Sequence, residues 1–104
     1  MSSLNKTYWA VIFTSVKSGS LEGYENHSKQ IEAIIEEQPG FIGVDHFSNE
    51  EQDITISYWE DEASIRKWKS NDIHRLAQEM GKSKWYLHYK TRVARVEREY
   101  EFNA

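Results

Sequence analysis

Apolar and polar positions along the chain follow two periods, and the switches between them mark out six elements. Residues 8–16 are β-branched and aromatic and predict a strand, closed by the turn cluster Ser18-Gly19-Ser20. From Leu21 the period becomes helical: Tyr24, Ile31, Ile34 and Ile35 form a stripe, with Glu22, Glu25, Lys29, Glu32 and Glu36 on other faces. Pro39 disfavours helical backbone at Gln38 and Gly40 frees a turn, so this helix is predicted over 21–38, about 27 Å long. Residues 41–47 predict a second strand, 48–52 a polar hairpin connection, and the alternating run 54–59 a third strand. Asp61 stands where an N-cap belongs, with Ser64 three residues on and Ala63, Ile65 and Trp68 as an apolar stripe. After a break near Ser70-Asn71, the spacing of Ile73, Leu76, Ala77 and Met80 predicts that the helix resumes as far as Gly81. Residues 85–98 predict one last strand of about 46 Å, beyond the usual strand length.

The order β-α-β-β-α-β is that of an α+β, ferredoxin-like fold with two helices on one face of an antiparallel sheet. In the first strand Trp9, Val11 and Phe13 point one way and Tyr8, Ala10 and Ile12 the other, so both faces are apolar. Helices cover one of them. The other is expected to meet a second copy of the sheet, with the overlong last strand reaching towards that partner, which predicts a homodimer.

Composition narrows the chemistry. The 104 residues fit one domain, 1–104, with its core over about 8–100. Absence of cysteine removes disulfides, thiolate metal sites and thiol nucleophiles. A formal charge of −4 argues against a nucleic-acid partner, and no apolar run reaches the roughly 20 residues that span a bilayer. The N-terminus Met1-Ser2-Ser3-Leu4-Asn5-Lys6 has no apolar stretch of the signal-peptide kind, so a cytoplasmic location is expected. Aromatics make up 13% of the chain, a surplus that asks for a pocket, an interface or both.

Motifs for nucleotide phosphates, dinucleotides or a serine nucleophile are missing. His27, His46, His74 and His88 fall on four different elements without metal-ligand spacing, so no metal site is expected. The carboxylates of Glu60-Asp61-Glu62 and of Glu97 and Glu99 read as solvated element ends. His88, Lys90, Arg92 and Arg98 share a face of the last strand, where cross-strand ion pairing competes with an anion site. Trp68, His74 and Gln78 form the more specific constellation. Gln78 follows His74 by one helical turn, and Trp68 precedes the helix break, where it walls a cavity or simply packs into the core. Trp59, Tyr58 and Trp85 read first as core or interface aromatics.

Several segments together resemble the antibiotic biosynthesis monooxygenase family, small proteins of dimeric α+β barrel fold. They are Tyr8-Trp9-Ala10-Val11-Ile12-Phe13-Thr14-Ser15, Gln38-Pro39-Gly40-Phe41-Ile42-Gly43-Val44 and Ile56-Ser57-Tyr58-Trp59. The resemblance continues through Ala63-Ser64-Ile65-Arg66-Lys67-Trp68-Lys69, His74, Ala77-Gln78, Trp85-Tyr86 and the stretch from Arg92 to Arg98. Its heme-degrading branch is similar in having a tryptophan at Trp68. That branch places its axial histidine where this chain has Gln78 and its first-strand asparagine near Ile12. Two of three positions therefore depart, which disfavours heme degradation and leaves His74 as the iron ligand such a site would need.

The quinone-forming branch uses no metal, flavin or nicotinamide, which suits a chain without cofactor motifs. It needs an aromatic-walled pocket, a donor for phenolate charge and a base. The resemblance then implies a cofactor-independent monooxygenase of a small aromatic or polyphenolic substrate. Trp68 becomes the wall, His74 the base or relay, and Trp59 and Gln78 further lining, with His88 or Arg92 as donor if either faces inward. The alternative is a non-catalytic module that binds a small ligand or heme, and a third reading is a dimer that serves structure alone.

Overall fold

The computed structural model describes residues 7–19, 22–71, 75, 78–80 and 84–104. Its elements are β1 (Tyr8–Lys17), α1 (Tyr24–Ile35), β2 (Phe41–Ser48), β3 (Gln52–Trp59), α2 (Glu62–Lys69) and β4 (Tyr86–Val96). Residues 75 and 78–80 are also helical. The strands form one antiparallel sheet in the order β2-β3-β1-β4, so β1 pairs with both β3 and β4. This is the expected ferredoxin-like α+β arrangement, in which the chain crosses over a helix between β1 and β2 and returns to the centre with β3.

Strands β1 and β2 run one residue longer than expected and β3 begins two residues earlier, at Gln52, while the first helix and the last strand are shorter for local reasons. The first helix starts at Tyr24 rather than Leu21, because Gly23 takes a left-handed φ of 81° immediately before it. It ends at Ile35 rather than Gln38: the amides of Glu37 and Gln38 reach back only three residues, to Ile34 and Ile35, and tighten the chain ahead of Pro39. The last strand covers 11 residues instead of 14. Its pairing stops where β1 begins, at Tyr8↔Val96, and Trp85 turns into the protein instead of joining the ladder.

α2 begins as its sequence predicts, with the Asp61 carboxylate accepting the Ser64 amide at 2.7 Å. That bond to the helix amide holds the Asp61 carboxyl below the usual carboxylate range. Ser70 closes the helix by donating its amide to carbonyls one turn back, at the predicted break. Of the predicted resumption, Ile73, Leu76, Ala77 and Gly81 lie outside the described residues.

Register decides which side chains share a face. Trp9↔Trp59, Val11↔Ser57, Phe13↔Thr55 and Ser15↔Asp53 lie on one side of the sheet. There Trp59, Trp68, Ile35 and Ile65 form the buried core, with Trp9, Val11, Ile31, Ile34 and Phe41 packed against it. This is the helix-bearing face. The opposite face carries Ala10, Ile12, Thr14 and Val16 of β1, Ile54 and Ile56 of β3, and Phe47 of β2. Ile54 and Phe47 on that face are exposed. No helix among the described residues is long and apolar enough to cross a membrane.

Candidate functional site

Two of the sequence-derived site residues meet in the core. Trp59 is fully buried and donates its indole N–H to Ser57 Oγ at 2.9 Å. Trp68, 5% exposed, stacks on it with ring centroids 6.3 Å apart, and Phe41 approaches Trp59 edge-on at 5.5 Å. Both tryptophans thus join β3 to α2. Gln78 is half-buried, and His74 lies outside the described residues.

His88 and Arg92 stand on the other side of the sheet. Their register partners on β1 are Val16 and Ile12, which face away from the helices. His88 joins Thr14, Val16, Gln52 and Ile54 of that face, with Ser15 and Asp53, around an open groove of about 180 Å³. Within one subunit, then, the sheet itself separates Trp59 and Trp68 from His88 and Arg92. Ile12 is also on the far side from Trp68.

The helix-bearing face holds a second constellation that sequence spacing did not single out. Asp53 is 3% exposed and sits at the end of β3 nearest the hairpin. Its Oδ2 accepts the Tyr24 hydroxyl at 3.1 Å, and its Oδ1 lies 3.3 Å from Lys17 Nζ and 3.9 Å from His46 Nε2. His46 Nδ1 is 2.8 Å from Thr55 Oγ1, which fixes the ring. Lys17 also donates to the Asn49 carbonyl at 3.3 Å, tying the cluster to the β2–β3 hairpin. Ser15, the cross-strand neighbour of Asp53, is buried, and its hydroxyl has no hydrogen-bond partner. Burial, Tyr86 and the Asp53 charge all raise the Tyr24 phenol far above its ordinary range, and burial raises Tyr86 as well.

Aromatic rings continue from the cluster along the same face. Phe13 lies 5.6 Å from Tyr86 and 5.4 Å from Tyr89, and Tyr24 meets Trp85 edge-on at 5.5 Å. Trp85 is held by its indole N–H to the Glu22 carbonyl and lies beneath Gly23. A signal for the polar cluster was present in the sequence. In a strand whose inward parity is 53, 55, 57 and 59, a carboxylate at the first inward position must find partners or remain costly. Among the described residues, no group of three or more His, Asp or Glu is arranged to hold a metal ion.

Comparison with known proteins places this chain in a family. The uncharacterized protein YqjZ of Bacillus subtilis (strain 168) is 39% identical over 104 residues, taking in 95% of this chain and 91% of that protein. The fold matches SnoaB of Streptomyces nogalater, described as a cofactor-independent oxygenase, with a TM-score of 0.66 at 12% identity. That match covers 95% of this chain and 99% of SnoaB. It also matches the Pseudomonas aeruginosa protein PA3566 at a TM-score of 0.72 and 17% identity, over 92% of this chain and 98% of that one. Residues 7–80 fit the sequence profile named antibiotic biosynthesis monooxygenase. The match runs from β1 through the core tryptophans to the helical residues after α2, and on it this chain belongs to the antibiotic biosynthesis monooxygenase family.

Proposed function

We propose that this protein is a cofactor-independent monooxygenase that oxidises a small polyphenolic substrate with molecular oxygen. The observation that carries the reading is the joining of aromatic surface and a buried acid–base cluster on the helix-bearing face, in a chain of this family. An electron-rich phenolate reacts with oxygen without a cofactor once its proton is removed in a site of low dielectric. For a hydroxylated anthrone the balance is simple. The ring methylene loses both hydrogens, one oxygen atom becomes the new carbonyl, and the other leaves as water.

The protein's share of this chemistry is to bind a flat ring, take its proton and stabilise the negative charge. The resemblance makes His74 the base or relay and Trp68 and Gln78 lining residues, and the Trp59–Trp68 stack then backs the aromatic wall. His88 and Arg92 belong in this reading to the sheet face that meets a second subunit. That face presents Ile54 and Phe47 to solvent, and residues 97–104 extend past β4 with Tyr100 and Phe102 exposed. A homodimer in which two such faces pack together covers the apolar side chains.

Incubation with a panel of hydroxylated anthrones, aerobic against anaerobic, tests the activity through quinone absorbance. Oxygen-dependent product is expected, and its absence across the panel returns the chain to ligand binding without turnover. Replacing His74 by Ala tests the assignment of the proton, with loss of turnover in an intact fold as the expected result.

A further inference from the structure

The cluster around Asp53 has the parts that phenol ionisation requires, and they come from four different elements. Lys17 on β1 supplies a cation, His46 on β2 an imidazole, Asp53 on β3 a carboxylate and Tyr24 on α1 a hydroxyl that orients it. The 3.9 Å between His46 Nε2 and Asp53 Oδ1 is too long for a hydrogen bond, yet close enough to hold an imidazolium once the ring is charged. With the Nδ1 proton given to Thr55 Oγ1, Nε2 keeps a free lone pair. Ser15 Oγ, buried and unpartnered beside Asp53, leaves one hydrogen bond of the cluster unfilled. Phe13 and Tyr89 pack ring against ring on the same face, with Tyr89 opposite Ser15. The cluster opens to solvent through the half-exposed His46 side chain.

We propose that a phenolic hydroxyl of the substrate is received here, with His46 accepting its proton, Asp53 holding the resulting imidazolium, Lys17 facing the phenolate and Ser15 completing its hydrogen bonds. This rests on the oxygenase reading and makes His46 the first acceptor of the phenol proton, with His74 left the part of relay in that reading. In the step the phenol O–H bond breaks, its electron pair stays on oxygen, and an N–H bond forms at Nε2. Nothing is oxidised. Two ion pairs, His46 with Asp53 and Lys17 with the phenolate, replace the single Lys17–Asp53 pair, so the net charge of the site is unchanged. Tyr24 is a positioning residue: it occupies Oδ2 and leaves Oδ1 to face Lys17 and His46.

Anaerobic titration with a dihydroxyanthrone at neutral pH, read by the phenolate absorbance band, measures ionisation apart from oxygen chemistry. Wild type is expected to raise the bound phenolate fraction above that in buffer. His46→Gln and Asp53→Asn are expected to lower that gain about tenfold or more, the effect of losing one close charge partner. Tyr24→Phe should fall between wild type and these two. Because His46 is half-exposed, His46→Gln leaves the fold intact and carries the test even if Asp53→Asn destabilises. Unchanged ionisation in His46→Gln, or none in wild type, overturns the proposal. Ionisation in wild type without aerobic product supports the cluster and overturns the oxygenase reading. Aerobic turnover that survives in His46→Gln overturns the cluster's role alone.

Discussion

The indole rings of Trp59 and Trp68 stack with 29° between their planes and 6.3 Å between centroids, and so join the end of β3 to the last turn of α2. One is the last residue of its strand and the other sits one position before the end of its helix. Replacing Trp68 by Ala is expected to cost about 3–5 kcal/mol in urea unfolding, the range for deleting a buried large aromatic side chain. Trp68→Phe should lose much less. A side chain that merely walls an open pocket would give a small loss for both, so the pair of values separates structure from lining.

Gly40 has φ 83°, and a Cβ built there would lie 2.7 Å from Ser64 Cβ and collide with Ser64 Oγ. Its carbonyl also accepts the Glu60 amide at 2.8 Å, which keeps the turn against the start of α2. Gly40→Ala should therefore destabilise by about 1–3 kcal/mol through backbone strain and the clash together. Gly19, with open space at its Cβ and no positive φ, is the matched control. Its change to Ala should leave the urea midpoint nearly unchanged.

Tyr58 donates its hydroxyl to Asp45 at 2.8 Å on the helix-free face. That bond, with partial burial second, pushes the Tyr58 phenol up to about 12 from 10.0. The folded value is the higher one, so this contribution to stability is whole below pH 10 and fades as pH rises through about 12. In alkaline unfolding, Tyr58→Phe should remove that dependence in the window, and Asp45→Asn should reduce it. The effect is small because the ring is only partly buried and its bond to Asp45 lies at the surface.

For the proposed dimer, sedimentation should give about twice the 12.3 kDa of one chain. Ile54→Glu places a charge on the helix-free face near the β2–β3 hairpin and is expected to yield folded monomer, as judged by an unchanged far-UV spectrum. Truncation after Val96, which removes Tyr100 and Phe102, should weaken association without abolishing it. Full dimerisation in Ile54→Glu would mean that this face is not the interface.

Much of the architecture was legible in local pattern. The switch from period two to helical spacing near Leu21, Pro39 with Gly40, and Asp61 ahead of Ser64 each mark an element end by a preference acting over a few residues. Helix and strand ends were less legible. Trp85, 62 positions on, packs beside the left-handed turn at Gly23 and donates to the Glu22 carbonyl, and β4 stops where its partner strand runs out.

What the sequence determined by itself is periodicity, and periodicity sets which residues share a side. It separates Trp9, Val11 and Phe13 from Tyr8, Ala10 and Ile12, and puts His88 and Arg92 on one face of the last strand. Only the tertiary structure decided which side the helices cover and which distant residues meet there. It put Trp59 and Trp68 behind the sheet from His88 and Arg92, and brought Lys17, Tyr24, His46 and Asp53 together from four elements. The reason is physical: alternation follows from the geometry of one strand, whereas those neighbours follow from strand register and helix docking, which depend on the packing of the whole core.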